Sequence, residues 1–204
     1  MAYGSYEGGL RELIHLLKYN GVRPAAKFLG GLLAQALATA EPRFEQLTFE
    51  QAATLVIPVP LYKSKLRKRG FNQAELIARA ALKLRPASER LQLVPDLLMR
   101  NRDTASQIGL TGHQRRANLR GAFAVARAAE VTGRQVILVD DVYTTGATAT
   151  ECAQVLRRAG AVKVWVATVA RTLKMASNYG QLRPDTEDNS AESEAQLLAR
   201  GAGS

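Results

Sequence analysis

The stretch Val136-Ile137-Leu138-Val139-Asp140-Asp141-Val142-Tyr143-Thr144-Thr145-Gly146-Ala147-Thr148 decides how this chain is read. Its first four residues are apolar and mostly β-branched, which predicts a buried strand over 135–139. Two aspartates follow where that strand is expected to end, then a turn rich in Thr and Gly over 140–148, then a helix. Cys152, Val155, Leu156 and Ala159 share one face of the helix, and Gly160 closes it. The apolar run 162–169 supplies the next strand. A strand–helix–strand unit implies a parallel pair joined by a right-handed crossover. The expected fold class is therefore α/β, a parallel sheet flanked by helices.

The chemistry sits at the same place. Ligands of open α/β sheets bind outside the carboxyl ends of the strands. Backbone N–H groups at a helix N-terminus, with the hydroxyls of Thr144, Thr145 and Thr148, make an anion site, and Gly146 and Ala147 keep the chain slim beside it. Asp140 and Asp141 suit a different group: vicinal hydroxyls, or a neighbouring divalent cation. Phosphate at one end and a diol at the other describe a ribose 5-phosphate. A plainer reading has the aspartates capping the helix and the threonines shaping a turn; the strand–turn–helix context of all thirteen residues favours the ligand. A P-loop is excluded because no Lys follows the glycine, and a dinucleotide fingerprint because Gly146 stands without its two companions.

Outward from this stretch, Leu10, Leu13, Ile14 and Leu17 repeat at helical spacing, as do Leu29, Leu32, Leu33, Ala36 and Leu37 behind Pro24. Residues 55–60 read as a short buried strand ended by prolines. The basic stretch 63–70 reads as a loop, 72–84 as a helix, and 97–99 and 122–125 as strands. Residues 100–120 are polar and basic and read as a long loop with one helical turn, of the kind that forms lids. Residues 1–175 make one domain, and the Ser-, Asn- and Glu-rich tail 176–204 is expected to be disordered, with a weak helical tendency at 191–200.

Composition narrows the function classes. The chain has 204 residues, 47% of them hydrophobic, and a formal net charge of +10. That apolar content excludes a wholly disordered chain. Cys152 is the single cysteine, which excludes a disulfide framework or a structural zinc ribbon within these residues. No apolar run is long enough for a membrane span and no secretory signal opens the chain, so a cytoplasmic protein is expected. Residues 1–172 carry a net charge of +12 and the rest −2, which favours an anionic partner over the body. Five of the seven residues from Lys63 to Arg69 are basic: they would grip a pyrophosphate, track a nucleic-acid backbone, or form a solvated face. His15, among leucines, reads as structural, and Cys152 as a core thiol. His113 is the better acid–base candidate of the two histidines. Arg115, Arg116 and Arg120 either close over phosphates or lie on the surface.

The thirteen-residue stretch resembles the binding signature for phosphoribosyl pyrophosphate (PRPP) of type I phosphoribosyltransferases. Pro58-Val59-Pro60 with Lys68-Arg69-Gly70-Phe71-Asn72-Gln73, and Arg100-x-Arg102-x-Thr104-x-x-Gln107-x-x-Leu110 continuing to Arg115, Asn118 and Gly121-Ala122-Phe123, resemble the ComF (GntX-like) subgroup over about 3–172. The resemblance implies a parallel sheet under a flexible hood, with PRPP bound together with Mg²⁺. It puts Asp140 and Asp141 on the ribose hydroxyls and near the metal, and Thr144, Thr145, Gly146, Ala147 and Thr148 on the 5-phosphate. Lys63, Lys65, Arg67, Lys68 and Arg69 would meet the pyrophosphate, and Arg100, Arg102, Gln107, His113 and Arg115 would belong to the hood. Many members carry an N-terminal zinc ribbon, for which these residues lack the cysteines. Thr144 stands where purine phosphoribosyltransferases carry an aspartate that handles the base proton, so purine salvage is not expected and no catalytic residue is assigned. Two functions are then open. One is phosphoribosyl transfer to an acceptor of nucleoside or nucleotide metabolism. The other is a competence factor for DNA uptake that binds single-stranded DNA with PRPP as regulator. Its partners would then be a second copy of the chain or proteins of the competence machinery.

Overall fold

The computed structural model describes residues 1–45, 53–85, 90–103 and 112–172, with side chains at 41–45, 112, 113, 115 and 116 excepted. Strands β1 (Ala2–Ser5), β2 (Thr54–Pro58) and β3 (Leu91–Leu93) open the chain's sheet, and β6 (Gln135–Tyr143) and β7 (Lys163–Arg171) complete it. All neighbours are parallel, in the order β1-β7-β6-β2-β3. A separate antiparallel ribbon joins β4 (Leu98–Arg100) to β5 (Phe123–Val125).

This order explains where the helices lie. From β1 to β2 and on to β3 the chain crosses the sheet in one direction, through α1 (Gly8–Asn20), α2 (Ala25–Glu45), α3 (Lys63–Arg69) and α4 (Gln73–Lys83). From β3 back to β6 and on to β7 it travels the other way, through the ribbon, α5 (Gly112–Leu119), α6 (Ala128–Val131) and α7 (Ala147–Arg158). Right-handed crossovers must then put the two groups on opposite faces. The two cores agree. Ile14, Leu17, Leu29, Leu33 and Ile77 pack with Val56, Ile137 and Val139, whereas Leu97, Leu119, Phe123 and Leu156 pack with Leu55, Ile57, Val136 and Leu138. Alternate residues of β2 and β6 thus serve alternate faces, as the pleat requires.

On the first face α2 and α4 meet at Gly30. A Cβ there would lie 2.5 Å from Ala80 Cβ and 2.9 Å from the Ala81 backbone nitrogen. Gly30→Leu is expected to cost about 3 kcal/mol through overpacking, which lowers Tm by roughly 6–12 °C. A melting curve that superposes on wild type would show that the helices are not in such close contact.

Three expectations are corrected. Residues 63–69 are a helix rather than a loop: Lys, Arg and Leu are good helix formers, and Arg67, Lys68 and Arg69 sit in the last turn, where cations offset the macrodipole. Gly70 ends it at φ 77°, its N–H donating to the Leu66 carbonyl at 2.7 Å. The strand read over 135–139 runs on to Tyr143, because Asp140 pairs with Thr168, Val142 with Ala170 and Tyr143 with Arg171. Residues 100–103 and 112–120 include the end of β4 and two turns of α5 rather than a loop with one helical turn; residues 104–111 lie outside the described part, as does the tail. The strand expected at 97–99 is present as β4, one residue further along, in the ribbon. Among the described residues no helix is long and apolar enough to cross a membrane.

Candidate functional site

The connections from β2 and β6 diverge: β2 proceeds to β3 over one face and β6 to β7 over the other. The carboxyl ends of these adjacent strands therefore flank a topological switch point, the crevice where open α/β sheets take ligands. The Val59 N–H donates to the Val139 carbonyl at 2.8 Å, so the chain leaves both strands at one edge. Gly70-Phe71-Asn72-Gln73 fixes the chain beyond β2. Phe71 is buried, Asn72 Oδ1 accepts from the Ala74 N–H at 3.0 Å to cap α4, and Asn72 Nδ2 donates to the Val59 carbonyl at 3.0 Å. These family-like residues are a structural clip that holds α3 at the carboxyl edge.

After β6 the chain turns through Thr144, Thr145 and Gly146 into α7. Gly146 has φ 77°, and a Cβ on it would lie 2.2 Å from Tyr143 Oη and 2.7 Å from Tyr143 Cζ. Only glycine combines that dihedral with that approach. An open cleft of about 260 Å³, part of it continuous with solvent, is lined here by Asp140, Tyr143, Thr144, Gly146, Ala147 and Thr148, with Val166 and Thr168 from β7. The backbone at the first turn of α7, Ala147 to Ala149, lies at this cleft. Every residue of the proposed phosphate turn except Thr145 lines it, and Thr145 Oγ1 is 3.5 Å from the Ala147 nitrogen.

The two aspartates differ in their surroundings, although their side chains are hydrogen-bonded to each other. Asp140 lines the cleft, half-buried, and its Oδ1 accepts from the Asp141 N–H at 2.9 Å. Asp141 is 3% exposed; its Oδ1 accepts from the Val142 N–H at 2.9 Å and its Oδ2 lies 2.5 Å from Lys18 Nζ. Adjacent strand residues point to opposite faces, and Asp141 shares the face of α1 and α2. Burial first, and then the neighbouring Asp141 charge, push the Asp140 carboxyl up to about 8, with Lys18 pulling the other way. Burial pulls Lys18 down, but Asp141, to which it is hydrogen-bonded, together with Asp140 and Tyr19 outweighs this, so its ammonium is held above the ordinary lysine value.

The cations divide likewise. Burial and then Arg100 pull Lys65 down, with Asp103 opposing and Arg69 adding to the effect, so these four groups share one neighbourhood. Arg100 lies over the Phe123 ring at 5.4 Å; burial lowers it, and Asp103 and Asp140 are among the charges that oppose this. Ser64 Oγ donates to Asp103 Oδ2 at 2.9 Å, joining α3 to the segment after β4. Lys63, Arg67 and Lys68 are exposed, and Arg69 donates to Gln73 Oε1. Arg102 is engaged elsewhere, for its Nη2 donates to the carbonyls of Asn118 at 3.0 Å and Arg120 at 2.9 Å, closing the end of α5. Gln107 and the side chains of His113 and Arg115 lie outside the described part. Cys152 is fully buried, and burial and Asp140 raise its thiol well above the ordinary value, as befits an inert core group. His15 is exposed and stacks on Tyr19 with ring centroids 4.5 Å apart.

Lys18 and Tyr143 were not singled out from the sequence. For Lys18 a signal existed: it stands four residues after the buried Ile14, on the same stripe of α1, where a lysine needs a partner.

No family model matches the chain. It is 37% identical over 170 residues to DNA utilization protein YhgH of Escherichia coli O157:H7, covering 82% of this chain and 70% of that one. It is 36% identical over 172 residues to competence protein F of Haemophilus influenzae, with the same coverage. Among solved structures, the glutamine PRPP amidotransferase from B. subtilis complexed with ADP and GMP superposes with a TM-score of 0.38 at 25% identity; 71% of this chain is covered and about a quarter of the amidotransferase.

Proposed function

The chain belongs to the family of DNA utilization protein YhgH and competence protein F, and from that premise we propose that it binds PRPP with Mg²⁺ and transfers the phosphoribosyl group to an acceptor. The observation that carries this reading is the cleft at the carboxyl end of β6, which a carboxylate, a glycine turn and a helix N-terminus line together. Asp140 accepts the ribose hydroxyls. The α7 N–H groups with Thr144 and Thr148 take the 5-phosphate. Arg100, which feels the charges of Asp140 and Asp103, and Lys65, which neighbours Arg100 and Asp103, meet the pyrophosphate.

Asp140 and the hydroxyls beside it are the hard oxygen donors that suit Mg²⁺ carried in on a polyphosphate, and Asp140 is the carboxylate that would hold it. Once bound, the ion neutralises charge that develops on the departing pyrophosphate. In the transfer the bond from C1 to the pyrophosphate oxygen breaks, an acceptor lone pair forms the new bond to C1, and the acceptor's proton leaves to solvent. Release of pyrophosphate from PRPP against a panel of amines, bases and nucleosides tests the transfer. Acceptor-dependent release supports it, and PRPP binding without release for any acceptor would reduce PRPP to a regulatory ligand.

A second reading, single-stranded DNA binding, is favoured by one surface. Tyr19 is 65% exposed, stacked on His15, with the Arg69 guanidinium 6.0 Å from its ring and the exposed cations of α3 alongside. Stacking rings among phosphate-binding cations are what a single strand requires. The double substitution Arg67→Ala/Lys68→Ala is expected to weaken oligo-dT binding. It should also flatten the plot of log affinity against log salt by about 1.4, two contacts at roughly 0.7 each. An unchanged slope would remove α3 from any such interface.

A further inference from the structure

Beneath the cleft lies a charge pair that the proposed chemistry leaves unused. Lys18 comes from the last turn of α1, and its side chain is 19% exposed; the Asp141 side chain it meets is 4% exposed, at 2.5 Å. Such a pair gains little stability over apolar residues of similar size, because two ions must be stripped of water to form it. Its position gives it another use. Asp141 Oδ1 accepts from the Val142 N–H and Asp140 Oδ1 from the Asp141 N–H, so two consecutive amides of β6 are pinned by carboxylates. They stand directly before Tyr143, whose ring lies against the Gly146 turn. A chain of contacts thus runs from Lys18 through Asp141 and Val142 to the wall of the cleft. The Lys18 charge also reaches both carboxylates, offsetting the repulsion that would otherwise push them apart.

We propose that Lys18 is a positioning residue for the sugar-phosphate site: by holding Asp141 on the far face of β6, it sets the end of the strand so that Asp140 and the Gly146 turn face one ligand. The proposal rests on the PRPP reading. It assigns Asp141 to the scaffold and Asp140 to the sugar, although the two are neighbours in sequence.

The test is calorimetric titration with PRPP and Mg²⁺, alongside thermal melting, of wild type, Lys18→Met/Asp141→Leu and Lys18→Arg. The double variant removes both charges, so it avoids the buried unpaired ion that could unfold Lys18→Met. It is expected to melt cooperatively near the wild-type temperature yet bind PRPP at least tenfold more weakly. Lys18→Arg, which keeps the charge and the pairing, is expected to bind within threefold of wild type. A folded double variant with wild-type affinity would overturn the proposal and leave the pair a stabilising contact only, and so would a loss in Lys18→Arg as large as that of the double variant. If wild type itself fails to bind PRPP, the ligand reading falls and takes this assignment with it, an outcome recognisable because it does not depend on the substitutions.

Discussion

Gly146→Val is expected to bind PRPP at least a hundredfold more weakly than wild type while remaining folded. Two independent facts meet at this residue. Its φ of 77° is open to glycine and strained for a β-branched residue, and the new Cβ would sit 2.2 Å from Tyr143 Oη. Tyr143 is 40% exposed, so its ring can swing away and the core need not rearrange. The strain of about 1–2 kcal/mol then lowers Tm by roughly 2–8 °C, well short of unfolding. The ligand site has no such escape. The valine methyl groups and the displaced tyrosine would both occupy the cleft at the N-terminus of α7, where an incoming phosphate needs free N–H groups. Calorimetry and a melting curve check both halves. A folded variant with wild-type affinity would mean that no phosphate enters by this turn.

Asp140→Asn is the second large effect, and it has two signatures of opposite sign. Loss of the carboxyl that accepts the ribose hydroxyls is expected to weaken PRPP binding by roughly tenfold to a hundredfold above about pH 8, where the group is ionised and its hydrogen bonds are charge-assisted, and by less below it. Stability moves the other way. The folded protein holds the Asp140 proton up to about pH 8, whereas an unfolded aspartate releases it near 3.8. The stability contributed by the protonated group is complete below the unfolded value and is lost as pH rises through the folded one. Asparagine does not titrate. The difference in Tm between Asp140→Asn and wild type is therefore expected to shift in the variant's favour between pH 5 and pH 9. A pH-independent difference would show that Asp140 titrates normally, and undiminished PRPP affinity would take it out of the sugar site.

The parts legible in sequence were those with local causes. Val136–Val139 announces a central strand because it is buried on both faces, and the Thr-Gly turn announces a helix start because Gly146 takes the left-handed conformation at the N-cap of α7. β1 and β3 were not legible. They are the two edges of the sheet, short and only half-buried, and Ala2-Tyr3-Gly4-Ser5 shows no apolar period at all. The helix α3 was hidden for a related reason: none of its residues is buried, so its charge run carries no hydrophobic stripe. The different surroundings of Asp140 and Asp141 needed the structure. They depend on β6 continuing through both residues, which pairing with β7 dictates, and on Lys18 arriving from a helix more than a hundred residues earlier. Residue types at one stretch can suggest a carboxylate pair; only the structure shows that Asp141 is paired with Lys18 while Asp140 lines the cleft.

Whether this cleft holds a sugar phosphate is the central question, and titration of the wild-type protein with PRPP in the presence and absence of Mg²⁺ answers it most directly. Saturable one-to-one binding is predicted, tighter with Mg²⁺ and displaced by ribose 5-phosphate, which occupies the Asp140 and Gly146 ends of the same site. No heat and no shift in Tm at millimolar PRPP with Mg²⁺ would contradict it.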